Sequence, residues 1–460
     1  DILSSHFGIG HKETLFALLR VCSSYITLGK FDDADAVLKD LSKSLEKEFG
    51  KEIWDNPSIM QMQAHLHQSR GEHQAAIAII KEAIEILEKD FGPMHSNTMQ
   101  LYKSLGEIYM DLCDFKSAME YTDISISIAT RYFGKDNVGV MAPLMNKGKI
   151  YAALSRIKEA HQIYDQVKDT YIRHYGDSCK MLCDVWMSEA QLLVNEGYAE
   201  KALELLESAR EHMVTIYGEN SVMLCRLYNQ MANAYYYMTQ FKFAREYYQK
   251  SLDIVQNTLG RNNMYCIEPL MGLGNVCISE DATGQQIHKA KQYLTRASFI
   301  SASVYGADNP NTTLIDSQIG DLSLLQGDLR DAYTKYMKQS MSLVDVLGEY
   351  ADTHQSMATS HLNIGMYYIA KANEATYQMD SVLVCQYAEQ ALEEFELSEN
   401  ICESIYGKDN PSVVSVLQGK AQAYLLLSQP EAAIEQYKHA ADITFKHYGY
   451  DSPLAAQAYA

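Results

Sequence analysis

An aromatic residue or leucine followed by glycine recurs along this 460-residue chain at a fixed step. It occurs as Phe7-Gly8, Phe49-Gly50, Phe91-Gly92, Phe133-Gly134, Tyr175-Gly176, Tyr217-Gly218 and Leu259-Gly260, each 42 residues after the last. Tyr305-Gly306, Leu347-Gly348, Tyr406-Gly407 and Tyr448-Gly449 continue the series with steps of 46, 42, 59 and 42. Alanine keeps the same phase at Ala34, Ala76, Ala118, Ala160, Ala202, Ala244, Ala290, Ala332, Ala391 and Ala433. A period of this length means one supersecondary unit that cannot bury its apolar face alone and stacks on copies of itself.

Each unit reads as two helices. The glycine fits a helix stop, since only glycine takes the left-handed position after a helix without steric cost. A polar start signal follows, as Asp-Asn-Pro at 308–310 and 409–411, Asp-Asn at 136–137 and Asp-Ser-Pro at 451–453. Asp, Asn or Ser caps the free N–H groups of the next helix, and Pro suits its first turn. Fourteen residues after the glycines stands a small residue: Cys22, Ala64, Gly106, Gly148, Ala190, Ala232, Gly274, Gly320 and Ala421, with Gly365 in the ninth unit after three extra residues. Tyr25, Tyr109, Tyr151, Tyr235, Tyr368 and Tyr424 follow three residues later, on the same helical face. Small residues on the first helix and the repeated alanine on the second predict closely approaching helices. Ala202→Leu should then cost roughly 1–3 kcal/mol by overpacking.

Two insertions break the period, one near 279–288 and a larger one within 349–390. The larger is expected to lengthen the ninth pair or add a protruding loop, and insertions in solenoids often carry specific contacts. The sequence ends inside what reads as the first helix of an eleventh unit, so more protein or a partner is expected to follow.

Small-x-x-Tyr on a first helix, then Ala-x-x-x-(Tyr/Leu/Phe) on a second, resembles the tetratricopeptide repeat. The second half is seen at Ala160/Tyr164, Ala202/Leu206, Ala244/Tyr248, Ala332/Tyr336, Ala391/Phe395 and Ala433/Tyr437. The common unit has ~34 residues, and the longer period with its Gly-x-Asp-Asn-Pro junction resembles the repeats of kinesin light chain and related cytoskeletal and ciliary adaptors. The resemblance implies an all-α, right-handed superhelical solenoid of antiparallel helix pairs. It would form a single domain over 1–460, with about ten pairs and partial end units.

Composition narrows the function. Acidic residues outnumber basic ones 59 to 39, for a net charge of −20, which repels phosphate backbones and anionic lipid. No apolar run approaches a membrane span. Nine cysteines without paired short spacings read as reduced, buried thiols, which places the protein in the cytoplasm. His65 and His67 point to different helix faces. His354 and His361 lack a third ligand, and Cys179 and Cys183 lack two more for zinc. Gly272-Leu273-Gly274 lies inside a helix, not after a strand. No catalytic residue, cofactor or metal site is assigned, and the chain is read as a non-enzyme.

The resemblance implies that the first helix of each pair lines a concave groove. The position after the small residue then gives Lys149, Gln191, Asn233 and Asn275, together with His65, Glu107 and Asp321. Three before it lie Met145, Met187, Asn229 and Met271, with Lys103 and Ser317. Six before it lie Arg226, Asp184 and Glu268, and Tyr236 and Tyr237 follow one turn later. Amides can pair with a peptide backbone, and Met and Tyr adapt to apolar anchors. With only Lys149 and Arg226 prominent, an acidic peptide is not the expected ligand. A second candidate is the stripe Glu389, Glu393, Glu396 and Glu403 on one helix, suited to a basic tail or coiled coil. Partners are therefore expected to be other proteins, as linear segments or coiled coils, basic ones among them, with no nucleic acid and no membrane. Three readings stay open: a scaffold fixed in a cytoskeletal or ciliary (axonemal) assembly, a cargo adaptor binding linear motifs, and a repeat platform of a larger enzyme or signalling protein.

Overall fold

The computed structural model describes residues 11–49, 57–177, 179–280 and 284–449. The described residues form twenty α-helices in ten antiparallel pairs and no strand. The first five pairs are α1 Lys12–Thr27 with α2 Phe31–Phe49, α3 Pro57–Ser69 with α4 His73–Phe91, α5 Met99–Asp111 with α6 Phe115–Phe133, α7 Val138–Ala153 with α8 Ile157–Tyr175, and α9 Leu182–Asn195 with α10 Ala199–Tyr217. The second five are α11 Cys225–Tyr237 with α12 Phe241–Leu259, α13 Ile267–Glu280 with α14 Gly284–Tyr305, α15 Pro310–Leu325 with α16 Leu329–Leu347, α17 Gln355–Tyr377 with α18 Ser381–Tyr406, and α19 Val414–Leu426 with α20 Pro430–Tyr448. The eleventh unit expected from residue 451 onward lies outside the described residues.

Packing follows the register read from the sequence. All ten phased alanines are buried, Ala433 included. Where the small residue of a first helix is glycine, it faces the residue four positions after that alanine. A Cβ on Gly148 would lie 2.5 Å from Tyr164, one on Gly320 3.0 Å from Tyr336, and one on Gly365 2.5 Å from Phe395. The glycine is thus a socket for a large side chain from the partner helix.

Two backbone features differ from expectation. The glycines that end the second helices are not in the compact left-handed region: Gly92 has φ 82 and ψ 164, and Gly407 has φ 88 and ψ 167. This is extended backbone of positive φ, open to glycine alone. The turn inside each pair carries the second demand. Gly29, Gly71 and Gly197 have positive φ there, but Cys113, Ser155, Thr239, Met379 and Ser428 fill the same place with φ between 56 and 63.

Of the larger insertion, fourteen residues extend the ninth pair as regular helix, giving α17 23 and α18 26 residues. The smaller one makes α14 a 22-residue helix, and its residues 281–283 lie outside the described set.

The solenoid also touches itself. The side chains that cap the first helices of pairs eight, nine and ten bond back to the turns of pairs three, four and five. Asn309 Oδ1 accepts from Asn311 N at 2.9 Å, while its Nδ2 donates to the Leu112 carbonyl at 3.0 Å. Asn410 does the same, accepting from Ser412 N at 2.8 Å and donating to the Glu196 carbonyl at 3.1 Å. His354 accepts from Ser356 N through Nδ1 at 3.1 Å and donates from Nε2 to the Ala153 carbonyl at 2.6 Å. Apolar contacts complete this seam: Gly29 lies against Leu259, Gly71 against Val304 and Gly197 against Pro411. Two successive turns of the superhelix are therefore in register.

Candidate functional site on the inner face

The first helices bring their polar positions inward, and buried tyrosines of the second helices reach through each pair to hold them. Tyr336 Oη donates to Asp321 Oδ1 at 2.7 Å, and Tyr248 Oη donates to Asn233 Oδ1. Both rings are buried, and burial next to a carboxylate raises both phenols far above their ordinary range. The tyrosines that looked like space-fillers thus also orient inner-face groups.

The inner bases are neutralised within the chain. Lys149 Nζ is 2.7 Å from Asp184, Arg226 Nη1 is 3.5 Å from the same carboxylate, and Lys103 Nζ is 2.7 Å from Glu107. Burial would raise the Asp184 pKa, but Lys149 and Arg226 outweigh it and hold the group below its usual range. Three other acids form no close ion pair with Lys or Arg among the described residues, although Arg226 acts on Glu268 and on Asp111 from further off. Glu268 receives Asn229 Nδ2 at 3.0 Å and Asn233 Nδ2 at 3.4 Å, and burial still raises its pKa. Asp321, bonded to Tyr336, is pushed up to about 7 by burial. Asp111 is pushed up to about 6, with Gln68 Nε2 at 3.3 Å and Glu107 adding repulsion. His73, whose Nε2 is 3.9 Å from Asp111, offers it no charge, because burial lowers the imidazole pKa.

Of these groups, Lys103, Glu107 and Asp111 line one cleft and Asp184 and Arg226 another, whereas Lys149, Glu268 and Asp321 line neither. The first, of about 1090 Å³, is bordered by His65, Lys103, Glu107, Asp111 and Tyr265. The second, of about 580 Å³, shares His65, Ser69 and Tyr265 with it and runs over Met181, Met187, Met213 and Met223 to Asp184 and Arg226. A third of about 570 Å³ lies between pairs five to seven and the last two pairs.

The expected groove residues divide accordingly. Among Lys149, Asn233 and Arg226, both bases are engaged by Asp184 and the amide by Glu268. Gln191 is half-buried and bonded to Asn195 at 3.2 Å, and Met271 and Asn275 are half-buried. Tyr236 and Tyr237 line the third cleft, where Tyr236 Oη meets Ser279 Oγ at 2.9 Å. Three placements need correction. Met145 and Met187 are only 4% exposed and Asn229 3%, because neighbouring helices cover the position three residues before the small one. Met187 only borders the second cleft, and Asn229 acts on the site through Glu268. Of the acidic stripe, Glu389, Glu393 and Glu396 are exposed on α18, whereas Glu403 is half-buried with Lys408 at 3.9 Å.

Asp111 escaped sequence reasoning altogether. Its signal was present: Asp111, Glu268 and Asp321 have no Lys or Arg three or four residues away on their own helices, so no base on the same helix can reach them. Among the described residues no group of three or more potential metal ligands forms, and no helix is long and apolar enough to cross a membrane.

Comparison with known proteins agrees with the architecture. Tetratricopeptide repeat families match residues 183–257, 223–283 and 386–444, and residues 57–89. No curated protein matches in sequence. A crystal structure of a Rap protein complexed with Competence and Sporulation Factor is 16% identical, covers 95% of this chain and 98% of that chain, and superposes with a TM-score of 0.53. The nearly identical TPR-like repeats of a Podosopora anserina putative kinesin light chain are 17% identical over 44% of this chain and 97% of that chain, TM-score 0.34. The Rap conjugation gene regulator of plasmid pLS20, in complex with the Phr* peptide, is 13% identical over 72% of this chain and 97% of that chain, TM-score 0.48. The first of these establishes a shared superhelical fold over nearly the whole length.

Proposed function

Because the chain is built of tetratricopeptide repeats, we propose that it is a non-catalytic interaction scaffold that holds extended segments of partner proteins inside its superhelix, and that these segments carry lysine or arginine. The observation that supports this most is the charge state of the inner face. Its bases pair with Asp184 and Glu107, while burial raises the pKa values of Glu268, Asp321 and Asp111, and the more distant pull of Arg226 and Lys149 does not offset it at Glu268 and Asp111. A cationic side chain entering the cleft at Asp111 supplies a close counter-charge, and the methionine-lined cleft that shares His65, Ser69 and Tyr265 with it takes an apolar neighbour.

The test is fluorescence anisotropy with a panel of extended peptides of equal length and varied charge. Lysine-containing peptides should bind in the micromolar range and weaken on Glu268→Gln or Asp321→Asn. Equal binding of acidic peptides, or none by any member of the panel, refutes the reading. A second reading, attachment to a cytoskeletal or ciliary assembly in the cytoplasm, is favoured by the protruding ninth pair. It predicts that the protein stays with the detergent-insoluble cytoskeleton at salt concentrations that strip peptide-bound adaptors.

A further inference from the structure

Apolar side chains on a protein surface are ordinary one at a time and informative when grouped. The ninth pair groups them. Tyr377, Met379 and Val382 are 90%, 93% and 74% exposed, more than any other large apolar residue described. They form the tip of the hairpin. Counted from the small residue in register, α17 runs twelve residues from Gly365 to Tyr377 where α19 beside it runs five from Ala421 to Leu426, so the tip projects by seven residues, about 10 Å. Regular helix continues to the tip, and the turn is closed by Asp380 Oδ1 accepting from Leu383 N at 3.1 Å. A well-built projection that buries nothing at its end exists for something outside the chain.

What covers it can be read along α18. Val382, Cys385, Glu389, Glu393 and Glu396 follow one another at spacings of three and four, so they share one stripe, and all five are exposed. The stripe spans about 21 Å. It starts apolar at the tip and becomes acidic towards the body. Neighbouring bases do not reach it: Lys371 pairs with Glu374 at 2.5 Å, Lys420 with Glu399 at 2.7 Å and His361 with Glu394 at 2.7 Å. Glu389, Glu393 and Glu396 have no ion-pair partner among the described residues.

We propose that the ninth hairpin docks an amphipathic helix of a partner protein, with the apolar side of that helix against Tyr377, Met379 and Val382 and its lysines or arginines against Glu389, Glu393 and Glu396. A straight stripe of helical period and this length matches a helix of about four turns, where an extended segment would meet every second residue on the wrong side. The surface is separate from the inner clefts, so both kinds of segment bind one molecule at once.

The probe is an amphipathic peptide of roughly 18 residues, leucine on one face and lysine flanking it, beside an isomer with glutamate in place of lysine. The full chain should bind the lysine peptide. Tyr377→Ser with Val382→Ser, and separately Glu389→Lys with Glu393→Lys and Glu396→Lys, should each weaken binding about tenfold. The charge-reversed chain should instead prefer the glutamate peptide. A photocrosslinker on Cys385, the one exposed cysteine described, should capture the lysine peptide on the otherwise unchanged chain. Failure of the lysine peptide to bind, equal binding by both variant sets, or self-association that the tip variants abolish would overturn the proposal, the last by assigning the tip to a second copy.

Discussion

The seam between superhelical turns makes a sharp prediction at Asn410. Its side chain does two jobs, since Oδ1 caps the 3-10 turn Pro411–Val413 that leads into α19 and Nδ2 satisfies the Glu196 carbonyl. Asn137 is the control, because its Oδ1 caps Gly139 N at 2.8 Å and its Nδ2 has no such bond. Replacing an Asn cap by Ala removes about 1 kcal/mol. At Asn410 the replacement also strips the donor from a carbonyl, worth about a further 1 kcal/mol. Repeat arrays lose stability locally, so the assay is hydrogen exchange resolved by residue. In Asn410→Ala, amides in the fifth turn and in α19 should both exchange faster, by about thirtyfold for a total near 2 kcal/mol. Asn137→Ala should speed exchange only at the start of α7, by about fivefold. Asn410→Asp separates the two jobs further. It keeps the capping acceptor but turns an oxygen towards the Glu196 carbonyl, so α19 should stay protected while the fifth turn loosens. If Asn410→Ala and Asn137→Ala give the same local pattern, the seam contributes nothing and the turns of the superhelix only happen to be close.

Titration supplies a second prediction. Asp321 is raised to about 7 and Asp111 to about 6, so their folded-state stabilisation is complete below about pH 4 and declines as pH rises through those values. Affinity for a lysine peptide should accordingly increase between pH 6 and 8, and Asp321→Asn should flatten that rise. His354 behaves in the opposite sense. Burial lowers its pKa, so its contribution is present above about pH 6.5 and is lost on acidification, when protonated Nδ1 faces the Ser356 N–H. His354→Asn copies the cap used at positions 309 and 410 and should keep the seam while removing its acid sensitivity, read by exchange at Ala153 and Ser155. Packing offers the last of this group. A Cβ on Gly419 would lie 2.6 Å from the Phe395 ring, which Gly365 also houses. Gly419→Ala should therefore lower stability by about 2 kcal/mol in denaturant unfolding, and Gly419→Ala with Phe395→Leu should recover part of the loss.

How far the sequence could be read depended on whether a contact repeats. Gly148 facing Tyr164 is a local event that recurs at Gly320 with Tyr336 and at Gly365 with Phe395, so composition at a fixed phase exposes it. Asn410 bonding to Glu196 joins residues 214 apart and occurs in three versions, one of them a histidine. No phase in a single chain marks it, and the Asn-Pro junction already had a sufficient explanation as a cap. The inner face fell between these cases. Register proposes Lys149, Arg226 and Asn233 for the groove, but their chemistry is set by Asp184 and Glu268, which lie 35 to 42 residues away and neutralise or orient them across pairs. Met145 and Met187 failed for a simpler reason. They share a helical face with Lys149 and Gln191, four residues on, and are covered there by neighbouring helices, which the register of a single helix does not reveal.

The seam also explains where the period may change. Turns one to five lie under the junctions of later pairs, and there the step stays at 42. Any added residue in those turns would displace a donor such as Asn309 or His354 from its carbonyl. The eighth and ninth turns carry no second layer: nothing lies within 4 Å of a Cβ on Gly327, and Met379 is 93% exposed. The large insertion sits at the ninth turn, where helices lengthen without breaking register. Inserting four alanines after Ser155 should therefore separate Ala153 from His354, expand the particle in X-ray scattering and lower the unfolding midpoint. The same insertion after Gly327 should change neither by more than experimental error, since loop lengthening alone costs only about 0.6 kcal/mol per doubling. Equal damage at both sites would mean that the fixed period serves packing within the pairs, and that the contact between turns of the superhelix imposes no constraint of its own.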